Sequence, residues 1–467
     1  MRKFTPRPYQ TAATQFLLEK QRGALFVDMG LGKTSSVLNA IEALDFCGEL
    51  GKVLIVAPLR VARSTWSDEV AKWEHTRHLT IDTIVGTAEE RLAALHSDSQ
   101  IKTINYENLE WLVLQLKDQW PFKVVVLDES TKVKSFRAHY KKGKNKTFLV
   151  CTEGKRAGAI IRHVLKRTDW VWLLTGTPCQ NSLRELWAQL FFIDGGKRLG
   201  KSYSAFEERW FRTHFNGHTK IPFPHSAQEI HDAIQDVVFT LRAEDYLRLG
   251  EEVLQTIPVE LPPEAARLYQ SMEEELFIIL EAGAVEAFSA PAQWMKLRQI
   301  ANGAVYYDKE GRFEVVHDEK VEALRSVIEE ANGMPVIVVY TFKSDLAILK
   351  KAFPKGRVFD KKGEADFKAG KVEILFLHPD SAGHGVDGLQ NITNVICFYS
   401  VDWNAETRSQ VIARVGKVRQ FQAGFDRPVF IYQIIAKGTI DETILERIDE
   451  KISVEDALKR RLARRIK

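Results

Sequence analysis

The chain has 467 residues, which is enough for about two or three domains of ordinary size. Its hydrophobic fraction of 45% and its ten tryptophans indicate a globular protein with substantial cores. The 66 basic and 62 acidic residues leave a net charge of +4, which excludes a strongly basic protein and does not by itself indicate a nucleic-acid partner.

Cysteine usage and hydropathy exclude further classes of protein. The four cysteines are widely separated and lack the paired spacing of a zinc site or a disulfide framework. No apolar stretch approaches the roughly 20 residues that a membrane span requires, and the N-terminus lacks the apolar region of a signal peptide. We therefore expect a soluble intracellular protein with no membrane partner.

The first predicted strand, 24–27, leads into the most informative segment, Asp28-Met29-Gly30-Leu31-Gly32-Lys33-Thr34. Apolar residues then recur at helical spacing, at Val37, Leu38, Ile41 and Leu44. Strand, glycine loop and helix in this order are the context of a phosphate-binding loop. Gly30 and Gly32 would let backbone amides point at phosphate oxygens. Lys33 would reach the β- and γ-phosphates, and Thr34 would ligate Mg²⁺. A glycine turn that caps an ordinary helix is the alternative.

Short runs of Val, Ile and Leu continue along the chain and alternate with helical patterns. They are 53–56, 103–105, 124–127 and 171–174, and then 336–340, 374–377, 395–398 and 429–432. Continuous apolar runs separated by helices predict parallel sheets that are covered on both faces. The two sets flank a mostly helical section at about 195–302, so the sequence predicts two α/β domains.

Polar residues follow two of these runs directly. Asp128 and Glu129 end the run 124–127, and with an upstream phosphate loop they would hold Mg²⁺ and activate the attacking water, respectively. Thr175 and Thr177 follow the run 171–174 and could relay the state of the γ-phosphate, although a simple Gly-Pro turn is the alternative. Chemistry in parallel sheets lies beyond the carboxyl ends of the strands, so we expect one site here.

Basic residues are concentrated near the C-terminus and in one internal segment. Gln410, Arg414 and Lys417 are spaced by four and then three residues, which predicts one helical face able to present a cation to the γ-phosphate. A surface helix with basic residues is the alternative. The segment 130–167 carries twelve Lys or Arg and one acid, and the tail 459–467 is also basic. Each is either a solvated face or a set of contacts to DNA phosphates.

Together these segments resemble helicase superfamily 2, and within it the Swi/Snf-type ATPases. The resemblance extends from about Arg7 to about Ile448, and its most specific part is Leu173 to Asn181 followed by Glu185-Leu186-Trp187. It implies an α/β fold of two RecA-like parallel-sheet domains with helical insertions between them. The implied boundaries are 1–192 and 303–448 for the two domains, 193–302 for the insertions and 449–467 for a basic tail.

The resemblance also implies ATP and Mg²⁺ as cofactors. Nucleotide contacts are expected from Arg7, Gln10, Met29, Gly30, Leu31, Gly32, Lys33 and Thr34, and metal contacts from Thr34 and Asp128. The catalytic residues would be Lys33, Asp128 and Glu129 on one wall of a cleft and Gln410, Arg414 and Lys417 on the other. Lys417 stands where the family has an arginine, so part of its role could pass to Arg414 or Arg419.

DNA is the implied partner, and double-stranded DNA is its expected form. The expected contacts are Arg60, Asn105, Lys134, Gly383, His384 and Trp403. The expected activity is ATP-driven translocation along duplex DNA, in the cytoplasm of a prokaryotic or virus-infected cell or in a eukaryotic nucleus. The alternatives are a strand-separating helicase, an annealing or fork-remodelling motor, and a DNA-binding module that no longer hydrolyses ATP.

Overall fold

The structure is a computed structural model that describes residues 3–142, 147–179, 182–213, 220–247, 249–281, 289–308, 310–381 and 387–462. The chain divides into two compact units, Met1–Leu247 with Lys451–Lys467, and Arg248–Glu450. The division lies within the segment that the sequence assigned to helical insertions. No helix of the described residues is long and apolar enough to cross a membrane.

The first unit is built on a seven-stranded parallel sheet. Its strands are β1 Arg22–Val27, β2 Lys52–Ala57, β3 Ile81–Ile84, β4 Ile101–Asn105, β5 Phe122–Asp128, β8 Trp170–Thr175 and β11 Val238–Leu241. Their order across the sheet is β11-β1-β8-β5-β2-β4-β3. Two antiparallel pairs stand apart from this sheet, β6 Arg137–Lys142 with β7 Thr147–Glu153, and β9 Phe211–Thr213 with β10 Lys220–Pro222.

Helices connect the strands of the first unit and cover the sheet. They are α1 Pro8–Lys20, α2 Lys33–Phe46, α3 Trp66–Lys72, α4 Ala88–His96, α5 Leu109–Leu116, α6 Lys155–Arg167, α7 Glu185–Asp194, α8 Tyr203–Trp210, α9 Ser226–Ile234 and α10 Ala243–Tyr246. The core joins apolar side chains of the central strands to an aromatic group on α7, at Trp187, Phe191 and Phe192. All three aromatic side chains are almost fully buried, so α7 is a main anchor of this unit.

The second unit contains a six-stranded parallel sheet. Its strands are β12 Glu252–Val259, β15 Val336–Val339, β16 Arg357–Val358, β17 Ile374–Leu377, β18 Val395–Phe398 and β19 Val429–Ala436, with a separate antiparallel pair of β13 Ala304–Tyr306 and β14 Phe313–Val315. The order of the six strands across the sheet is β12-β19-β18-β15-β17-β16. The helices are α11 Pro263–Glu281, α12 Ser289–Ala301, α13 Glu319–Glu330, α14 Lys343–Ala352, α15 Lys361–Lys368, α16 Ala405–Ile412, α17 Lys417–Gln422 and α18 Ile440–Leu462, which continues beyond this unit.

The predicted α/β fold with two parallel sheets is confirmed, and every predicted apolar run contributes to an observed strand. The section predicted as mostly helical also holds β11 and β12, each at an edge of one sheet. β12 mixes polar and apolar residues and is exposed or half-buried along its length, and it has a neighbouring strand on one side only. Its sequence therefore lacks the continuous apolar run that marked the central strands.

A buried ion pair ties helices to the second sheet. Lys320 on α13 is fully buried, and its Nζ atom donates to Asp441 Oδ2 at 2.6 Å and to Asn302 Oδ1 at 2.8 Å. Asp441 Oδ2 also accepts the backbone N–H of Ala436, the last residue of β19. A buried ion pair of this kind strongly constrains the fold, because removing one partner leaves the other as a buried charge without a counter-charge.

The substitution Lys320→Met is expected to lower the free energy of unfolding of the second unit by about 3–5 kcal/mol, because the Asp441 carboxylate would stay buried without its cation. Chemical denaturation followed by circular dichroism measures this change. Lys343→Met removes an exposed lysine in the same unit and is expected to change stability by less than about 0.5 kcal/mol. Equal stability of the two variants would contradict the expectation.

Candidate nucleotide site

The segment between β1 and α2 has the backbone of a phosphate-binding loop. Gly30 and Gly32 both adopt left-handed conformations, with φ of 85° and 84°, and Gly32 is the N-terminal cap of α2. The left-handed backbone at position 32 requires glycine there, and a Cβ atom would also contact the flexible end of the Gln10 side chain. The helix N-terminus and its amides are thus available to an anion at this loop.

Lys33 and Gln10 lie beside this loop. Lys33 Nζ donates to the carbonyl oxygen of Val27 at 2.7 Å and to that of Asp28 at 3.4 Å, so its side chain folds back over the loop. Gln10 Nε2 donates to Ser35 Oγ at 3.3 Å, and Gln10 Oε1 accepts the backbone N–H of Arg7 at 2.9 Å. The structure therefore brings Gln10, an expected nucleotide contact, next to the expected phosphate loop.

The two acids lie at the carboxyl end of β5. Asp128 is the last residue of that strand, and its Oδ2 atom accepts a hydrogen bond from Trp66 Nε1 at 3.0 Å. Glu129 is buried and adopts a left-handed conformation with φ of 59°, which is uncommon for a residue with a side chain. The backbone here is constrained further by Tyr106, whose hydroxyl donates to the Asp128 carbonyl oxygen at 3.0 Å.

The electrostatics of Asp128 follow from this position. Burial and the neighbouring charge of Glu129 raise the pKa of Asp128 to about 6, and Lys33 and the Trp66 hydrogen bond oppose the rise. The ionised carboxylate is thus less stable here than in water. A divalent cation near the Asp128 carboxylate would offset the cost of keeping it ionised. This is the behaviour expected of a carboxylate that holds magnesium.

Two threonine hydroxyls hold the Glu129 side chain. Thr175 Oγ1 donates to Glu129 Oε1 at 3.1 Å, and Thr131 Oγ1 donates to the same oxygen at 3.4 Å. Thr175 Oγ1 in turn accepts the backbone N–H of Thr177 at 3.0 Å. Glu129 is therefore linked by hydrogen bonds to the loop after β8. The Thr177 hydroxyl is buried and has no hydrogen-bond partner among the described residues.

The residues of this site suit a nucleotide with Mg²⁺. Magnesium in proteins keeps several water ligands and takes one or two carboxylates together with substrate phosphates. The described residues contain no group of three or more His, Cys, Asp or Glu side chains that could hold a metal alone. Asp128 with the partly buried Thr34 hydroxyl matches the sparse donor set of such an ion.

Two site residues were not assigned a role in the nucleotide site from the sequence. Trp66 lies 62 positions from Asp128, and Tyr106 lies 22 positions from it. The sequence offered no signal for either contact, because both depend on how β2, β4 and β5 lie side by side in the sheet.

The predicted single helical face for Gln410, Arg414 and Lys417 is wrong. Gln410 lies in α16, Arg414 lies in the following turn, and Lys417 is the first residue of α17. α16 ends at Ile412, and α17 begins after Gly416, whose extended conformation (φ −60°, ψ 168°) caps α17. Glu252 Oε1 accepts the backbone N–H of Lys417 at 3.4 Å, which fixes the start of α17.

The expected DNA contacts have different surroundings. Arg60 is exposed, whereas Lys134 forms an ion pair with Glu185 at 3.5 Å. Asn105 is buried and hydrogen-bonds to Glu107 and Asn108, so its side chain supports the local turn. Trp403 packs edge-on against Trp294, with ring centroids 6.3 Å apart. Gly383 and His384 lie outside the described residues.

The substitution Asp128→Asn is expected to stabilise the protein without nucleotide at pH 7.5, since it removes a buried charge beside Glu129. A raised pKa means that protonation stabilises the fold below about pH 4 and that this gain is lost as the pH rises through about 6. The midpoint of thermal unfolding should therefore rise by about 2–4 °C at pH 7.5, and the difference should shrink below pH 6.

Thermal unfolding with and without Mg²⁺ and a non-hydrolysable ATP analogue completes this test. The Asp128→Asn variant should gain less from the two ligands than the unsubstituted chain does. Asp68→Asn, an exposed position, is the matched control. A lower midpoint for Asp128→Asn than for the control at pH 7.5 would show that the Asp128 charge is not a cost to the fold.

Comparison with known proteins gives the family of this chain. Residues 9–304 match the SNF2-related domain. "Putative protein p41" of Acyrthosiphon pisum secondary endosymbiont phage 1 is 42% identical over 469 residues, which cover 98% of each chain. The uncharacterised ATP-dependent helicase YqhH of Bacillus subtilis is 22% identical over 96% of this chain and 78% of its own length.

Among solved structures, the SWI2/SNF2 ATPase core of Sulfolobus solfataricus in complex with double-stranded DNA is 23% identical and gives a TM-score of 0.45, over 98% of this chain and 94% of that chain. The match to the family domain covers more than half of the 467 residues. The chain therefore belongs to the SNF2-related family.

Proposed function

We propose that this protein is a DNA-stimulated ATPase that translocates along double-stranded DNA. The observation that carries the proposal is the pairing of the glycine loop at Gly30–Lys33 with the acids Asp128 and Glu129. In a member of the SNF2-related family, this pairing supports nucleotide hydrolysis. The relative YqhH of Bacillus subtilis, an uncharacterised ATP-dependent helicase by name, supports the same class of activity.

The first step of the proposal is nucleotide binding by the first unit. The amides at the start of α2 receive phosphate oxygens, and Lys33 turns from its carbonyl acceptors towards the β- and γ-phosphates. Gln10 holds the base, next to the loop that it already contacts. Bound Mg²⁺ supplies positive charge to the phosphates, with Thr34 and Asp128 as the residues that hold it.

The second step is activation of water by Glu129. A general base must be held within hydrogen-bond reach of the proton that it accepts. The hydroxyls of Thr175 and Thr131 fix the orientation of this carboxylate, so it needs little rearrangement to act. Because Thr175 also accepts the Thr177 N–H, a change at Glu129 is passed to the loop after β8. This is the proposed origin of coupling through Thr175 and Thr177.

The proposal assigns Gln410, Arg414 and Lys417 to sensing and stabilising the γ-phosphate. An arginine finger raises the rate of phosphoryl transfer by roughly 10³–10⁵. Lysine carries a compact charge and lacks the planar guanidinium fork, so Lys417 provides less of this stabilisation than an arginine would. The proposed enzyme is therefore a slow ATPase for its family.

DNA is proposed as the partner, and duplex DNA as its form. The exposed Arg60 and the Trp403 side chain are the described candidates for contacts to the strands. Contacts to phosphates carry no sequence information, which suits a motor that moves along DNA of any sequence.

Glu129→Gln is expected to keep nucleotide binding and to lower the rate of ATP hydrolysis by at least about 10²-fold, since glutamine accepts the Thr175 hydrogen bond and cannot take the proton. Phosphate release and binding of a fluorescent ATP analogue measure the two effects. Glu110→Gln, at an exposed position on α5, is the control. Near-normal hydrolysis by Glu129→Gln would remove Glu129 as the base.

Steady-state ATP hydrolysis without nucleic acid, with single-stranded DNA and with blunt duplex DNA tests the function itself. We expect the strongest stimulation from blunt duplex. Equal or greater stimulation by single strands would favour a strand-separating helicase, and preference for forked DNA would favour a remodelling or annealing motor. ATP binding without hydrolysis on any of these DNAs would indicate a DNA-binding module that no longer hydrolyses ATP.

A further inference from the structure

A two-stranded hairpin lies between the acidic pair and the next strand of the first sheet. β6 and β7 pair antiparallel, and Tyr140 faces Leu149 in register while Lys141 faces Phe148. The hairpin begins shortly after the short helix 130–133 and ends before α6. The basic segment noted in the sequence is therefore an ordered element over its described residues, which stop at 142 and resume at 147.

One face of this hairpin is anchored to the first unit. Ala138 and Leu149 are buried on it, and the Tyr140 ring packs near Phe191 of α7 with centroids 6.2 Å apart. Arg162 of α6 donates to the Leu149 carbonyl oxygen at 2.8 Å. Successive side chains of a strand point to opposite faces, so anchoring one face leaves the other turned outwards.

Lys141 and Phe148 lie on the outward face, and Lys142 lies on the same face as Tyr140 but at the end of β6; these three residues define what we call the basic hairpin surface. Both lysines are exposed, and the Phe148 side chain is 55% exposed. Glu153 is the single acidic residue of the segment 130–167, which holds twelve basic residues. It pairs in register with Arg137, at the end of the hairpin far from these lysines. No acidic side chain of the described hairpin lies near these lysines.

The chemistry of this surface points to a polyanion with exposed rings or sugars. Two consecutive lysines concentrate positive charge here, and a row of phosphates neutralises that charge while releasing counterions. An exposed aromatic ring beside basic residues is the combination that nucleic-acid-binding proteins use to contact backbone and bases together. A single exposed aromatic ring is ordinary on a protein surface. Phe148, however, lies directly across from Lys141, so the ring and the lysine can contact the same segment of a nucleic acid.

We propose that the basic hairpin surface is a DNA-binding element, in which Lys141 and Lys142 contact backbone phosphates and Phe148 packs against the sugars or bases of the same segment. This rests on the proposed function in one respect, namely that DNA is the polyanion that the protein meets. The contact is independent of sequence, so it adds affinity for any DNA.

The double substitution Lys141→Ala with Lys142→Ala tests the phosphate contacts. Binding of a fluorescent 20-base-pair duplex without nucleotide is followed by anisotropy between 50 and 200 mM salt. Each phosphate contact contributes about 0.9 to the slope of log affinity against log salt, so the slope should become less negative by about 1.8. Affinity at 50 mM salt should fall roughly tenfold.

A matched control removes the same charge elsewhere. Lys361 and Lys362 are adjacent, exposed and located in the first turn of α15, so their joint replacement by alanine leaves the net charge equal to that of the hairpin variant. The control should keep the slope of the unsubstituted chain. Equal slopes for the two double variants would overturn the proposal, because the loss would then reflect net charge alone.

Phe148→Ala separates the aromatic contact from the charges. It should weaken binding several-fold and leave the salt slope unchanged, since no ion is released when an apolar contact is lost. Unaltered affinity would reject the role of Phe148. Thermal unfolding of every variant confirms that the fold is retained, which the exposure of the three side chains leads us to expect.

These measurements also separate this proposal from the proposed function. If the unsubstituted chain binds DNA with the hairpin-dependent slope and DNA does not stimulate ATP hydrolysis, the hairpin surface stands and the translocase is rejected. If DNA stimulates hydrolysis and the hairpin and control variants bind alike, the translocase stands and the hairpin surface is rejected.

Discussion

The parallel register of the first sheet is the constraint on which the candidate site depends. Phe26 of β1 lies opposite Thr175 of β8, and Leu174 of β8 lies opposite Asp128 of β5. The ends of three strands thus reach one edge of the sheet together. Asp128 and Thr175 are strand-terminal residues, and the glycine loop begins one residue after β1. No single segment could place these groups near one another without this register.

The cost of that convergence is electrostatic. Two adjacent carboxylates at the end of a buried strand repel each other, and burial deprives them of water. Hydrogen bonds partly compensate for this cost: Trp66 donates to Asp128, and Thr131 and Thr175 donate to Glu129. A site that leaves negative charge partly uncompensated in the free state is arranged to receive cations, and this is consistent with a metal–nucleotide ligand.

The sequence allowed the central strands and the phosphate loop to be predicted, because both have strong local signals. Continuous apolar runs mark strands covered on both faces, and Gly30, Gly32 and Lys33 stand in a fixed local order. Long-range contacts such as Trp66 with Asp128 left no local signal, since they arise from the order of strands in the sheet. The break between α16 and α17 was missed because spacing alone predicts a continuous helix, whereas α16 ends at Ile412 and the extended Gly416 starts a new helix. The roles assigned to individual residues from the family resemblance remain predictions.

The tight packing of Gln10 against Gly32 has a consequence for how this protein varies over evolutionary time. The Gln10 amide is the flexible end of its side chain and could move away from a Cβ atom at position 32, but the left-handed φ of 84° at Gly32 would strain any other residue there. A shorter residue at position 10 would give up the hydrogen bond to Ser35 and the link to the Arg7 backbone. Position 32 is therefore held as glycine by its backbone conformation, whereas position 10 is held by the hydrogen bonds of its side chain, so different constraints act on two residues that lie in contact.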